Sequence, residues 1–537
     1  MFFTILLLFG ISAGCILAGK ILIHYFQLES YQFPGYFRTV RRNLFKAILP
    51  GFCLTILLCV SLLIIDHVTS NAGNWLFCII ECFIMMIGGF LIGKSCSEKK
   101  AKKALVYTPR VKRLYGVSLI VITALLLLIV LLFRSGDWIQ TPAKAFLIVF
   151  PFFLPVWIAL CGLLAWPLEK AISEMYFRDA QRILSRRKDL IRIGITGSWG
   201  KTSVKFILGT ILEEKYHTLV TPASFNTPMG VTKVIRNMLE PGHRVFIAEM
   251  GARHVGDIKE MCRLVHPQVG IITSVGPQHL DTFKTVERVA RTKYELIEAL
   301  PADGEAFFAD DSGICRELYQ KTKIKKSITG IFPGKTDLWA EDIHYSPEGT
   351  GFQLCSAAFR KACSTKLLGE LNISNILLAA SVALSLGLSL EQVVRGIEKI
   401  KPVEHRLQLI SHPGGVNVID DAFNSNIRGA KQAFQVLSQF TGKRIIVTPG
   451  MVELGEQEYE LNREFGSLMH GCCDHVILVG KKRSESILQG LREKGISDES
   501  VSIVSSLEEA TDLLKTISGP GDTILFENDL PDNYTEN

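Results

Sequence analysis

Residues 191–212 read IRIGITGSWGKTSVKFILGTIL. The apolar run Ile191–Thr196 is a short strand, and Gly197–Lys201 is a glycine-rich turn. Val204, Ile207, Leu208, Ile211 and Leu212 then recur on one face of a helix. Strand, glycine turn, helix is the setting a phosphate-binding loop requires. Backbone N–H groups and the helix N-terminus stabilise phosphate oxygens. The Lys201 ammonium can reach the terminal phosphates, and the Thr202 hydroxyl can bind Mg²⁺. The strict GxxxxGK[ST] pattern is not met, because its first glycine position is Ile195.

Downstream, polar residues fall at the ends of apolar elements. VFIAEMG (Val245–Gly251) reads as a buried strand ending in Glu249. VGIITSVG (Val269–Gly276) reads as another, followed by His279 in GPQHLDTF. Lys293 lies in the helix VERVARTKYELIEAL. In a parallel sheet the carboxyl edge of the strands is where ligands bind, and these residues are placed there.

Upstream the chain changes character. Five apolar stretches, about Phe2–Gly19, Ile48–Ile65, Trp75–Gly93, Val117–Phe133 and Ala145–Trp166, are near the ~20 helical residues that cross a bilayer. The first has no basic residue before it and no evident cleavage site, unlike a signal peptide. Lys and Arg are dense between stretches one and two (Lys20, Arg38, Arg41, Arg42, Lys46) and between three and four (Lys94 to Arg113). They are absent between two and three, and only Arg134 and Lys144 lie between four and five. The positive-inside rule then places the N-terminus outside and everything after Trp166 in the cytosol, where ATP is. Glu81, inside the third run, is the polar residue there that invites a functional role; Asp66 and His67 mark a helix end.

Composition is consistent with this division. The net charge is +7, but many of the basic residues lie in loops between apolar runs, and no aromatic-and-basic nucleic-acid module is present. Nucleic acid is not an expected partner. The 13 cysteines form no CxxC and no Cys/His cluster of metal spacing. They read as free, structural thiols of a reducing compartment.

After Ile373–Gly387, an Ala/Leu-rich helix, Pro402–Leu407 reads as a hinge. Strands at Val416–Asp420, Arg444–Thr448, His475–Val479, Val501–Val504 and Thr523–Phe526 alternate with helices at about Gly429–Phe440, Glu456–His470 and Leu507–Ile517. Such alternation implies a mostly parallel sheet. The segment 321–366 reads as short strands in a smaller insertion.

TGSWGKTS, EMGARHVGDI, ITSVGPQHLDTF and VARTKYE, in that order and spacing, resemble the central ATPase domain of the Mur ligases of bacterial cell-wall synthesis. The resemblance runs from about Arg192 to the C-terminus. It implies that Thr196, Gly197, Ser198, Gly200, Lys201, Thr202 and Ser203 hold ATP phosphates. It implies that Thr202 and Glu249 ligate one Mg²⁺, and that His279 helps hold a second. Lys293 matches the lysine that the family carbamylates, turning a cation into a metal-directed anion. Lys201, Lys293 and His279 would be the catalytic set, and Asn226, in SFNTPMGV, resembles the loop that faces the acceptor substrate. Asn375, in GELNISN, matches an asparagine near the adenine, although Leu371 replaces the family's histidine. Arg406 matches an arginine that reaches the phosphates, Asp421 a ribose contact and Asn424 a nucleotide contact, with Ile427 where a proline is usual. Glu453, in GMVELGEQEYE, also matches.

The expected architecture is multi-domain. A transmembrane domain of five helices fills 1–170, an α/β P-loop Mur ligase domain 186–402, and an α/β Rossmann-like domain 403–537. The implied activity is an ADP-forming amide-bond ligase that uses ATP and Mg²⁺ and adds D-Ala-D-Ala or an amino acid to a UDP- or lipid-linked peptidoglycan precursor. The expected place is the bacterial cell membrane, as a multi-pass protein with membrane lipid around it. The family's soluble N-terminal domain, which holds the UDP-sugar, has no counterpart. Two alternatives remain at this stage: the same chemistry on another carboxylate, and an ATP-driven transporter or regulator.

Overall fold

The computed structural model describes residues 2–68, 74–97, 104–135, 138–139, 141–222, 225–310, 313–346, 349–402, 405, 407–411, 415–422, 427–452 and 454–528. The chain divides into two compact units, Met1–Glu174 and Met175–Asn537.

The first unit is helical. Leu44–Leu62, Cys78–Ser95, Pro109–Leu132 and Lys144–Ser185 are long and apolar enough to cross a membrane. A fifth candidate is the pair Phe2–Ala18 and Lys20–Leu28, bent by 50°. The candidate Lys144–Ser185 contains the expected stretch Ala145–Trp166. A 3-10 turn at Phe150–Phe153 interrupts it, and the helix Leu154–Ser185 then continues through Pro167.

Small residues bring helices Phe2–Ala18 and Asn74–Ser95 together. A Cβ on Gly14 would stand 2.6 Å from the Met85 carbonyl oxygen, and one on Gly89 would stand 2.3 Å from that of Gly14. Close backbone approach of this kind replaces the hydrophobic drive that helices lack in lipid. Several polar groups are paired. Glu169 accepts N–H groups from Arg113 Nε and Nη2 at 2.6 and 2.7 Å. Arg110 stacks on Tyr31, 3.8 Å from the ring centre. Glu81 is fully buried and accepts the Ser61 hydroxyl at 2.7 Å. The side chains of Asp66 and His67 lie outside the described residues.

The second unit holds two sheets. The strands of the first are β1 (Ile191–Thr196), β2 (Thr218–Val220), β3 (Val245–Glu249), β4 (Val269–Ile272), β5 (Glu305–Ala309), β6 (Lys325–Gly330), β7 (Leu338–Ser346), β8 (Gly349–Ser356) and β9 (Arg360–Thr365). They lie in the order β9-β8-β7-β6-β5-β4-β1-β3-β2. β1 is flanked by β3 and β4, both parallel to it, so the phosphate loop, Glu249 and the loop after β4 leave one edge side by side. All five residues of β3 are buried, the unbroken apolar signature of a strand covered on both faces. The segment 321–366 is not a separate insertion. β6 and β7 continue the parallel sheet, and only β7, β8 and β9 turn antiparallel.

The second sheet contains β10 (Gln408–Ser411), β11 (Asn417–Asp421), β12 (Arg444–Thr448), β13 (His475–Val479), β14 (Val501–Val504) and β15 (Thr523–Glu527), in the order β10-β11-β15-β12-β13-β14. It is parallel except for β10. Neither β10 nor the helix Lys481–Glu493 was expected; the helix is charged along most of its length and its apolar positions are few. No disulfide joins any two cysteines among the described residues.

Candidate active site

Gly200 takes a left-handed conformation (φ 80°) that glycine adopts without strain, and it caps the helix Lys201–Leu212. The loop around it is tied to the end of β4. The Trp199 N–H donates to Ser274 Oγ at 2.8 Å, and the Ser274 hydroxyl donates to the Trp199 carbonyl at 2.9 Å. The Thr273 hydroxyl donates to the same carbonyl. Ser198 Oγ donates to the Gly276 carbonyl at 3.1 Å and accepts the Gly276 N–H at 3.0 Å. Thr196 Oγ1 donates to the Met250 carbonyl at 3.0 Å, tying β1 to the end of β3. The Lys201 ammonium folds back on its own loop, 2.6 Å from the Gly197 carbonyl and 3.2 Å from that of Ser198.

Glu249, the last residue of β3, is where the expected residues converge. Its Oε2 accepts the Thr202 hydroxyl at 3.1 Å, and its Oε1 accepts an Asn226 amide N–H at 3.2 Å. Asn226 also accepts the Gly251 N–H through its carbonyl, at 2.9 Å, which fixes the loop against β3. A third donor was missed in the sequence: Lys205 Nζ lies 2.9 Å from Glu249 Oε2, with side-chain exposures of 0% and 2%. The signal was present, since Lys205 falls within the apolar face of its helix, between Val204 and Leu208. Burial alone would raise the Glu249 carboxyl, but Lys205 and then Lys201 hold it below the usual carboxylate range.

Lys293 is buried on the helix Val286–Glu298. Burial, and secondarily Lys201, push its ammonium well below the ordinary lysine value, while Asp257 opposes the shift. Asn375 is buried on the helix Glu370–Ser385, and its Oδ1 would lie 2.9 Å from a Cβ on Gly200. It is thus set against the phosphate loop itself. His279 caps the four-residue helix Leu280–Phe283 in a left-handed conformation (φ 52°), just past the β4 edge. Ser203 is buried in the first turn of its helix.

Asp421 ends β11 in the other sheet, where its Oδ1 accepts the Leu407 N–H at 3.0 Å. Beside it, His405 Nδ1 lies 2.7 Å from Asp420 Oδ2, so His405 and Leu407 are held by consecutive aspartates. Arg406, Asn424 and Glu453 lie outside the described residues.

A Thr hydroxyl and a carboxylate at the mouth of a glycine loop are hard oxygen donors of the kind that share Mg²⁺ with nucleotide phosphates. Among the described residues no three His, Cys, Asp or Glu side chains are grouped to hold a metal alone.

Residues 195–383 match the Mur ligase middle domain, and residues 405–527 match the Mur ligase glutamate ligase domain. The UDP-N-acetylmuramoyl-tripeptide–D-alanyl-D-alanine ligase of Bacillus subtilis is 29% identical over 341 residues, 62% of this chain and 72% of that protein. Its counterpart in Mycobacterium bovis is 30% identical over 362 residues, covering 62% and 69%. Among solved structures, MurF from Acinetobacter baumannii aligns with a TM-score of 0.61 at 27% identity, over 66% of this chain and 77% of that one. MurF from Thermotoga maritima in complex with ADP aligns with a TM-score of 0.60 at 25% identity, covering 66% and 80%.

Proposed function

The chain belongs to the Mur ligase family, and from that premise we propose that it is an ATP-dependent, ADP-forming ligase that joins D-alanyl-D-alanine to a muramoyl-tripeptide precursor. The observation that carries this is the convergence of Thr202 and Asn226 on Glu249 at the mouth of the phosphate loop.

The acceptor's carboxylate oxygen attacks the γ-phosphorus of ATP, forming an acyl phosphate and releasing ADP. The amine of the dipeptide then attacks the acyl carbon, loses a proton and expels phosphate. Loop amides and Lys201, once it leaves the Gly197 and Ser198 carbonyls, stabilise the phosphate oxygens. Asn226 orients Glu249 and lines the acceptor side. Mg²⁺, when bound, neutralises charge on the transferring phosphoryl group. Thr202 and Glu249 would hold it, with His279 toward a second ion. Burial shifts Lys293 toward its neutral amine, the form that reacts with CO₂, which favours its carbamylation in this reading. Asn375, Arg406, Asp421 and Asn424 complete the nucleotide site in this reading.

We further read the boundaries as 1–170, 186–402 and 403–537, with five spans in the first part and a Rossmann-like last domain. The protein sits in the bacterial cell membrane with its N-terminus outside and the ligase part in the cytosol. The candidate spans lie outside residues 195–383 and 405–527, which match the two family domains. This favours an acceptor that is lipid-linked, or a UDP-linked acceptor used at the membrane surface.

The test is amide product by mass spectrometry from full-length protein in nanodiscs with ATP, Mg²⁺, bicarbonate and D-Ala-D-Ala. UDP-linked and lipid-linked muramoyl-tripeptide are offered side by side, with Lys201→Ala as blank. Product from either acceptor is expected. No product from either, with ATP bound, overturns the cell-wall assignment in favour of the same chemistry on another carboxylate.

A further inference from the structure

Lys205 has no part in the chemistry above, yet it is sealed in the site. Thr202 and Lys205 stand three residues apart on the helix Lys201–Leu212, so both face the end of β3. Both reach the same oxygen, Glu249 Oε2, at 3.1 and 2.9 Å, while Asn226 holds Oε1. The carboxylate that would receive the metal is therefore already supplied with a full positive charge and two neutral donors. Neither partner of the pair has solvent to screen it.

A divalent cation approaching Glu249 without nucleotide meets the Lys205 ammonium in place and the Lys201 ammonium on the adjoining loop. With ATP in the loop, the polyphosphate adds the negative charge that outweighs these lysines. We propose that Lys205 is a resident counter-cation and positioning residue that keeps Glu249 from taking up divalent metal until nucleotide arrives, so that the ion enters the site only with ATP. This rests on the reading of Thr202 and Glu249 as the cation site.

The experiment titrates detergent-solubilised full-length protein with Mn²⁺, reading free Mn²⁺ by electron paramagnetic resonance, with and without a non-hydrolysable ATP analogue. Wild type is expected to take up Mn²⁺ at this site only with the analogue, and Glu249→Gln to lose that uptake. Lys205→Met is expected to gain a nucleotide-independent Mn²⁺ site at least ~10-fold tighter than any in wild type, equivalent to about 1.4 kcal/mol. The double variant Lys205→Met/Glu249→Gln is expected to lose it. Lys205→Gln, which keeps a hydrogen-bond donor, serves where the methionine variant does not fold, and should show the same gain. Glu249-dependent Mn²⁺ uptake by nucleotide-free wild type overturns the proposal, as does a folded Lys205 variant with no gain. Uptake with the analogue that ignores Glu249→Gln instead overturns the underlying cation-site reading.

Discussion

The Trp199 indole lies against Gly276 so closely that a Cβ there would stand 2.3 Å from the ring. With the Ser198–Gly276 and Trp199–Ser274 hydrogen bonds, this contact makes the phosphate loop and the end of β4 one body. Gly276→Ala should therefore displace the loop at a cost of roughly 1–3 kcal/mol. ATP affinity should fall with it, measured by calorimetry. Adding Trp199→Ala should restore part of the loss. Full ATP affinity in Gly276→Ala alone would show that the loop does not depend on this contact.

Thr202→Ser keeps the hydroxyl that donates to Glu249, and Thr202→Val removes it at constant shape. The serine variant should stay within a few-fold of wild type in kcat, while the valine variant should lose about 100-fold. Equal activity of the two in the amide-product assay would exclude the hydroxyl from the reaction.

Lys293 gives a pH dependence with a definite sign. Its folded pKa is depressed by burial, so below the ordinary lysine value of about 10.4 the unfolded chain binds a proton that the folded chain does not. In CO₂-free buffer, stability from this group should rise as pH increases toward about 10, and should decline as pH falls toward its depressed folded value. The thermal midpoint should rise more steeply between pH 7 and 9 for wild type than for Lys293→Met. Identical slopes would mean that the ammonium is paired rather than neutral.

In the helical unit, Gly14→Leu forces a side chain into the Met85 carbonyl, and it should lower the thermal midpoint in detergent by several degrees. Gly116→Leu is the control, since nothing lies within 4 Å of a Cβ there. Equal midpoints would argue against close packing of helices Phe2–Ala18 and Asn74–Ser95.

Much of the ligase part could be read from local pattern. β1, the glycine turn and the following helix sit where the apolar spacing of residues 191–212 placed them. The strands at 444–448 and 475–479 agree to the residue, because buried parallel strands are short apolar runs bounded by polar turns, and the half-exposed edge strand at 501–504 agrees as well. Glu249 was visible as the polar end of an apolar strand and Thr202 from the glycine-turn pattern, and they do meet. Where local pattern misled, two physical causes recur. Edge strands such as β10 carry little apolar signal. Pairing partners are also invisible along a chain, so β7–β9 looked like an insertion rather than a continuation of the sheet.

The sequence by itself determined the apolar helices, the order of the motifs, the family resemblance and which residues end the strands of the phosphate-binding sheet. Only the tertiary structure decided that Lys205 pairs with Glu249, that Asn375 stands against Gly200, and that Lys293 is buried within reach of the Lys201 charge. The reason is physical: a lysine's charge is written in its side chain, but its state depends on burial and on neighbours brought from distant β-strands and helices, which exist only once the sheet has formed.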